Sequence, residues 1–201
     1  MKFFESDHSF SHPWSLLTFA NWRKYPNEFA PHVLSVDVLS RTVNPTTGAL
    51  ETQRLMRCKQ PLPSFLKRMG LKLTDEVYFL ETSTLDPKTQ SYSASTVNLS
   101  LRSLMSAKET CVFRPDPSNP SEYTHFFQRA ELTAMGVFPF VAQLMEDAAI
   151  SRFQTNASKG KQALEHAIER LVTEAREVEH RVSDSIKEKL AGFASDTTRA
   201  I

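Results

Sequence analysis

The sequence predicts an α+β fold in which a curved antiparallel sheet of about seven strands wraps a long C-terminal helix. Three observations support this fold class. A short helical pattern near the N-terminus leads into a strand, a series of strand-like segments with turn signals follows, and a helical pattern occupies the chain after Gly136. A sheet that wraps a helix leaves a hollow between the two, and we expect a binding site in that hollow.

The N-terminal elements are a candidate strand and a short helix. Three phenylalanines within residues 3 to 10 could form an additional strand, although apolar and polar residues alternate poorly there. Apolar residues at helical spacing then run from Trp14 to Trp22, and the breaker pair Pro26-Asn27 ends this pattern. We therefore expect a short helix that delivers the chain into the sheet.

The middle of the chain predicts six consecutive strands. We expect them over about residues 33 to 43, 50 to 59, 76 to 85, 90 to 100, 104 to 114 and 122 to 134. Asn44–Gly48 and Asp86–Thr89 are rich in turn-forming residues, and Pro115–Ser121 contains three prolines. Because each link is short enough to join neighbouring strands, these segments predict an antiparallel meander.

A long helix is predicted after the last strand. Apolar and small residues recur there on broadly one face: Val141, Leu144, Ala148, Ala157, Gly160, Leu164, Ile168 and Leu171. Residues 172 to 190 mix acidic and basic side chains, which is typical of a solvated helix that extends beyond the core.

Composition limits the classes of function. A chain of 201 residues can form one domain with an appended segment, and a net charge of +1 argues against a protein built chiefly to bind nucleic acid. Cys58 and Cys111 stand far apart without a CxxC pattern, so we expect neither a disulfide framework nor a cysteine-based zinc site. We likewise expect no other metal site and no cofactor. No apolar run reaches the roughly 20 residues that span a bilayer, so any membrane contact is expected to be peripheral.

Several segments resemble one known family. They are Trp22–Asn27, Pro31–Arg41, the opening Met1–Phe4 and His12-Pro13-Trp14. The first two resemble the PRELI-like domain of phospholipid carriers of the mitochondrial intermembrane space, and the others are similar to its slowmo branch. The resemblance implies a helix-grip fold, related to START and phosphatidylinositol-transfer domains, over residues 1 to 171. Residues 172 to 201 would then be a charged helical extension or tail.

A candidate lid lies between the second and third strands of the meander. Within Gln60–Gly70, apolar and basic residues stand side by side: Leu62, Phe65, Leu66, Lys67, Arg68 and Met69. Residue chemistry alone favours a short amphipathic helix that caps the core, but the same mixture suits reversible docking on an anionic bilayer. The family resemblance implies the second interpretation, because this position matches the loop that closes the lipid cavity.

Basic and polar residues on the long helix are candidates for binding a headgroup. Arg152, Asn156 and Lys159 lie on one helix face at spacings i, i+4 and i+7. By spacing alone such a stripe is more often a solvated surface, and nothing in the spacing selects a phosphate ligand. The segment from Arg152-Phe153 to Lys159 resembles the family's basic-Phe-x-x-Asn-x-x-Lys pattern. It implies that Arg152 and Lys159 bind a lipid phosphate, by a planar fork and by a point charge respectively.

Three further residues fall where related carriers have basic or histidine side chains near the cavity: Lys24, His32 and Arg54. Lys24 is the strongest candidate, because a buried cation is costly unless an anion such as phosphate pairs with it. The alternatives are that Lys24 projects into water at a helix end, that Arg54 points outward from its strand, and that His32 forms a structural hydrogen bond.

The resemblance implies a carrier of phosphatidylserine between the outer and inner mitochondrial membranes. A carrier of phosphatidic acid for cardiolipin synthesis is the alternative, although Lys24 stands where such carriers tend to have arginine. An enzyme is the second hypothesis, because helix-grip cavities also host cyclase- or hydrolase-like chemistry. No G-x-S-x-G elbow, P-loop or dinucleotide fingerprint is present, so we do not expect an enzyme. The resemblance also implies a heterodimer with a small helical-hairpin protein that has twin cysteine motifs. An adaptor whose charged C-terminal helix binds another protein remains a third hypothesis.

Overall fold

The computed structural model describes residues 1–60 and 75–199, with side chains as far as residue 189. In chain order, the elements are β1 (Lys2–Phe10), α1 (Trp14–Trp22), β2 (Val33–Val43), β3 (Leu50–Lys59), β4 (Glu76–Asp86), β5 (Ser91–Asn98), β6 (Met105–Pro115), β7 (Thr124–Ala134) and α2 (Pro139–Arg199). The predicted α+β fold class is confirmed: the structure has a seven-stranded antiparallel sheet and a long C-terminal helix.

The sheet has the strand order β1-β7-β6-β5-β4-β3-β2. From β2 to β7 each strand pairs with the next in the chain, so the predicted meander is confirmed, and the six predicted strands end within two residues of the observed bounds. The N-terminal segment forms the seventh strand, which pairs with the last strand from Lys2↔Leu132 to Phe10↔Thr124. The first and last strands of the chain are therefore neighbours.

Bulges bend the edge strand β2. Its register against β3 shifts between Val33 and Ser35 and again between Val38 and Ser40. An extra residue on one strand of a pair increases local bending and twist, so these shifts support a curved sheet. The concave face of this sheet is the one covered by the helices.

Helix α1 closes one end of the concave face. Trp14, Leu17 and Ala20 are buried in the main apolar core. Two side chains fix the helix to the sheet: Trp14 Nε1 donates to the carbonyl oxygen of Phe113 at 3.2 Å, and Asn21 Nδ2 donates to the Tyr92 hydroxyl at 3.0 Å. Because Tyr92 and Phe113 are paired across β5 and β6, α1 lies over that end of the two strands.

Helix α2 packs across the sheet with its central part. Ala157, Ala163, Leu164, Ala167, Ile168 and Leu171 are buried, and the three alanines allow the helix to approach the sheet closely. Leu144, which the apolar pattern places on the same face, is instead 42% exposed, and its neighbour Met145 is buried. The helix is thus less covered near its beginning than at its centre.

The C-terminal part of α2 leaves the domain surface. Every described side chain from residue 175 to residue 189 is exposed, as expected for a helix that carries charges all round. The helix nevertheless continues without a break to Arg199. Across the parts of the chain that the structure describes, no helix is both long and apolar enough to cross a membrane.

Candidate functional site

A cavity of about 310 Å³ lies between α2 and the concave face of the sheet. Its wall is mostly apolar, with Met56, Phe79, Leu101 and Leu104 among the lining side chains. Helix α2 contributes the stretch from Met145 to Leu164. This volume lies within the range of pockets that bind small organic ligands, which are typically about 300 to 1,000 Å³.

Strand alternation determines which side chains face the cavity. On β4 the inward residues are Val77, Phe79 and Glu81, and on β6 they include Glu109 and Cys111. Successive residues of a strand point to opposite faces, so one face of each strand supplies the lining. Charged side chains at two inward positions are unusual, because ionised groups are rarely buried without a partner.

Lys24 follows α1 and lines the cavity. Burial lowers the pKa of Lys24, whereas the nearby side chains of Tyr25, Cys111 and Glu81 raise it, and the balance leaves this pKa above its ordinary value. Lys24 is therefore charged at neutral pH. Its Nζ also lies 4.9 Å from the centre of the Tyr25 ring. Lys24 thus places a positive charge at the α1 end of the cavity.

His32 lines the cavity as well. Its Nδ1 atom is buried and has no hydrogen-bond partner. Burial lowers the pKa of His32, and the positive charges of Lys159 and Lys24 lower it further. The side chain is consequently neutral at pH 7 and offers an unsatisfied ring nitrogen to a ligand.

Arg54 is buried rather than directed outward, with 4% of its surface exposed. Its Nε and Nη2 atoms contact Glu81 Oε1 at 2.8 and 2.6 Å, and its guanidinium lies 4.8 Å from the centre of the Trp22 ring. Glu81 lines the cavity, and Arg54 lies behind it. Glu81 thus already serves as the anionic partner of Arg54. The predicted role of Arg54 in binding a headgroup stays a prediction.

The three predicted residues of α2 differ in their placement. Arg152 and Asn156 line the cavity together with Phe153 and Ala157. Lys159 is half-buried outside the lining, close enough for its charge to act on His32. The structure therefore brings Lys24, His32, Arg152 and Asn156 to one cavity, with Lys159 and Arg54 beside it.

The predicted lid residues lie outside the described part of the chain. They are Leu62, Phe65, Leu66, Lys67, Arg68 and Met69. The described flanks, Gln60 and Asp75, are joined by a backbone hydrogen bond of 2.6 Å from Gln60 N to Asp75 O. Because Gln60 also lines the cavity, the two described flanks meet near the cavity wall.

Residue patterns did not single out several polar groups of the cavity, notably Glu81, Glu109 and Gln128. The signal was present, since each occupies an inward position of an alternating strand. Recognising these residues as cavity groups required the strand register.

Neither lone cysteine is in a disulfide, and burial raises the pKa of Cys58 to about 11. The described residues contain no group of three or more side chains arranged to hold a metal ion.

An apolar cavity with charged groups in its wall is complementary to an amphiphile, and the curved sheet around a long helix defines a helix-grip protein. The chain belongs to the PRELI-like family, whose pattern it matches over residues 16–174. It is 36% identical over 169 residues to the yeast Saccharomyces cerevisiae "Protein UPS2, mitochondrial", covering 84% of this chain and 73% of that protein. It is 37% identical over 178 residues to the "Protein slowmo homolog" of Dictyostelium discoideum, covering 88% and 76% respectively.

A solved structure confirms the START-like architecture. A START superfamily protein from Mycobacterium smegmatis superposes with a TM-score of 0.51 at 12% identity, covering 84% of this chain and 98% of that one. At this identity the likeness concerns the fold alone. The predicted PRELI-like family and helix-grip fold are both confirmed.

Proposed function

We propose that this protein carries a phospholipid between mitochondrial membranes, with the acyl chains held in the cavity under α2. The observation that carries the proposal is the cavity itself, which has apolar walls and a charged lysine, Lys24, at one end. Membership of the PRELI-like family and the mitochondrial name of the yeast relative support it. The protein acts as a carrier and no covalent chemistry is required of it.

The physical reason for such a carrier is the cost of moving a lipid through water. Exposing the acyl chains of a diacyl lipid would cost about 20 kcal/mol or more, at roughly 0.8 kcal/mol for each CH₂ group. A second apolar environment avoids this cost, provided that the lipid can enter it directly from the bilayer. The predicted lid at Leu62–Met69 would open and close that route.

Phosphatidylserine is the proposed cargo, and phosphatidic acid is the alternative. The relative named slowmo homolog supports the slowmo branch, which the sequence resemblance links to phosphatidylserine. In either case Lys24 and Arg152 would contact the phosphate, with Asn156 as a neutral hydrogen-bonding group and His32 as an acceptor or donor. Lys159 and Arg54 would act on the headgroup through their charge.

The proposed membrane contact lies where the strands and α2 meet, at the opposite end of β5 and β6 from α1. Phe138 and Phe140 are 83% and 73% exposed, and Met135 is also exposed. The turn that contains Leu101 and Leu104 lines the cavity at the same end, since Met135 N donates to the Leu104 carbonyl oxygen at 2.9 Å. Exposed aromatic rings beside a cavity suit shallow insertion into a bilayer.

The proposed compartment is the intermembrane space, where a small helical-hairpin protein with twin cysteine motifs would form a heterodimer with this chain. The family resemblance supports this partner. Both cysteines of the chain are free, so the carrier itself does not depend on a disulfide.

The decisive experiment is a transfer assay with the chain co-expressed with this small partner. Labelled phosphatidylserine, phosphatidic acid or phosphatidylcholine would be placed in donor liposomes, and its arrival in acceptor liposomes measured. We expect selective transfer of phosphatidylserine. Selective transfer of phosphatidic acid would establish the alternative cargo, and transfer of no lipid would contradict the carrier function.

A further inference from the structure

The inner face of β6 carries a carboxylate that the proposed phosphate site does not explain. Glu109 lines the cavity between Ala107 and Cys111, the neighbouring inward positions of the strand. A phosphate-binding cavity gains nothing from a negative charge, because two anions in an apolar environment repel each other. Glu109 therefore calls for a ligand group of the opposite charge.

Gln128 on β7 provides a second, independent observation. Its side chain is 5% exposed and lines the cavity. Nε2 donates to Glu109 Oε1 at 2.6 Å, which fixes the orientation of the amide. The other amide atom, Oε1, is buried and has no hydrogen-bond partner. A buried acceptor left without a donor costs free energy, and it marks a place where a ligand donor is needed.

The two carboxylates of the cavity differ in their partners. Glu81 is neutralised by Arg54 through two contacts of 2.8 and 2.6 Å. Glu109 receives hydrogen bonds from Gln128 and from the Cys111 thiol, at 3.4 Å, but no basic side chain of the described residues lies within ion-pair distance of it. Lys108, its neighbour in the strand, also lines the cavity but is exposed. Glu109 thus has no cationic partner among the described side chains and lies beside an unsatisfied acceptor.

The pair formed by Glu109 and Gln128 lies close to Lys24. The Cys111 thiol joins the two places: it donates to Glu109, and its pKa, which burial and the Glu109 charge raise, is lowered in turn by the positive charge of Lys24. Lys24, which can bind an anion, and Glu109, which can bind a cation, therefore both lie beside the Cys111 side chain. A headgroup with a phosphate and an amine two carbons apart carries the two complementary charges, a negative one for Lys24 and a positive one for Glu109.

We propose that Glu109 and Gln128 form a subsite for the primary ammonium group of an aminophospholipid whose phosphate lies at Lys24. The three N–H donors of an ammonium group would satisfy both the Glu109 carboxylate and Gln128 Oε1. Phosphatidic acid has no ammonium group, and its phosphate is repelled by Glu109. The trimethylammonium group of phosphatidylcholine carries charge but cannot donate a hydrogen bond. This inference rests on the proposed carrier function and assigns the origin of its selectivity.

The test measures which lipids the full chain, co-expressed with its small partner, extracts from mixed vesicles. The vesicles contain equal amounts of phosphatidylserine, phosphatidylethanolamine, phosphatidic acid and phosphatidylcholine, and the bound lipids are quantified by mass spectrometry. For the unaltered chain we expect the two lipids with a primary ammonium group to predominate. In Glu109→Gln we expect the ratio of bound phosphatidylserine to phosphatidic acid to fall about tenfold or more, because a charge-assisted hydrogen bond is lost.

A matched control is Glu51→Gln, which makes the same change at an exposed position of β3 and should leave the ratio as it was. An unchanged ratio in Glu109→Gln would overturn the subsite while leaving the carrier function in place. Equal binding of phosphatidylethanolamine and phosphatidylcholine by the unaltered chain would also overturn it, whether or not the variant folds. Extraction of no phospholipid by the unaltered chain would instead contradict the proposed function.

Discussion

Individual charged side chains inside the sheet are the main departure of this protein from an ordinary apolar core. Lys24, Glu81, Arg54 and Glu109 all lie at or behind the cavity wall. Such groups lower the stability of a fold unless they are paired, so their presence indicates a binding function. Two of them form an internal ion pair, and the other two are available to a ligand.

We expect Lys24→Gln to reduce lipid transfer about tenfold while the melting temperature changes little. The substitution removes the positive charge that would bind the lipid phosphate but keeps a side chain of similar length. The same reasoning predicts a loss of transfer for Arg152→Glu, whose reversed charge repels phosphate. Lys88→Gln, in an exposed turn, serves as the control. Normal transfer by stably folded Lys24→Gln would remove this residue from the site.

The buried ion pair leads to a prediction about stability. In Glu81→Gln, the Arg54 guanidinium loses its anion in a buried position, and we expect the free energy of unfolding to fall by about 3 to 5 kcal/mol. The exposed pair between Arg23 and Glu174 provides the control, where Glu174→Gln should cost less than about 1 kcal/mol. Denaturant unfolding of both variants measures the difference. Similar small losses in the two would show that Arg54 does not need Glu81.

At the scale of elements, the beginning of α2 both lines the cavity and carries solvent-exposed aromatic side chains. Met145, Ala148 and Ala149 line the cavity, whereas Phe138 and Phe140 face solvent. Gly136 precedes the helix with a φ of +66°, and a Cβ atom there would lie 3.1 Å from the Ser103 carbonyl oxygen. A residue without a side chain is therefore needed where the chain turns from β7 into the helix. This turn brings the exposed aromatic residues beside the cavity.

We expect the double substitution of Phe138 and Phe140 by serine to weaken binding to anionic vesicles by tenfold or more. Each ring would lose a burial contribution of roughly 1.5 to 3 kcal/mol on insertion. Because both rings are exposed, the melting temperature should stay nearly unchanged. A vesicle sedimentation assay measures the binding.

The control for this prediction is the double substitution of Val178 and Val182 by serine. These residues are about half exposed on the distal part of the same helix, at 52% and 53%. Equal losses of vesicle binding in the two double variants would argue against a specific membrane contact at the start of α2.

At the scale of the whole molecule, the structure has a core that ends before the helix does. Among the described side chains of α2, Leu171 is the last that is buried, and Glu174 still reaches back to Arg23 through contacts of 2.8 and 3.4 Å. Side chains from residue 175 to residue 189 are exposed. The predicted division into a domain over residues 1 to 171 and an extension over 172 to 201 stays a prediction.

We expect a chain that ends at residue 174 to fold, with a melting temperature within a few degrees of that of the full chain, and to retain lipid transfer. The removed part contributes no buried side chain among the described residues, so little apolar surface is lost. Thermal unfolding and the liposome assay provide the measurements. A truncated chain that folds but no longer transfers lipid would give the extension a role in function, as an adaptor helix would require.

The sequence by itself determined the elements of the fold and the family. Strand patterns with turn signals predicted the six strands of the meander to within two residues, and helical periodicity predicted α1 and α2, whereas the poor alternation before Phe10 only suggested β1. These features depend on interactions close in the chain, which local patterns record. The family resemblance, rather than these patterns, identified six candidate residues, and four of them line the cavity: Lys24, His32, Arg152 and Asn156.

Tertiary structure alone decided how distant residues combine. The pairing of β1 with β7, the ion pair of Arg54 with Glu81 and the contact of Glu109 with Gln128 each join residues that are far apart in the chain or in different strands. The exposure of Leu144 depends on where α2 crosses the sheet. Burial and charge pairing are properties of the assembled fold. A local pattern can indicate that a residue faces inward, but only the strand register shows which partner it meets there.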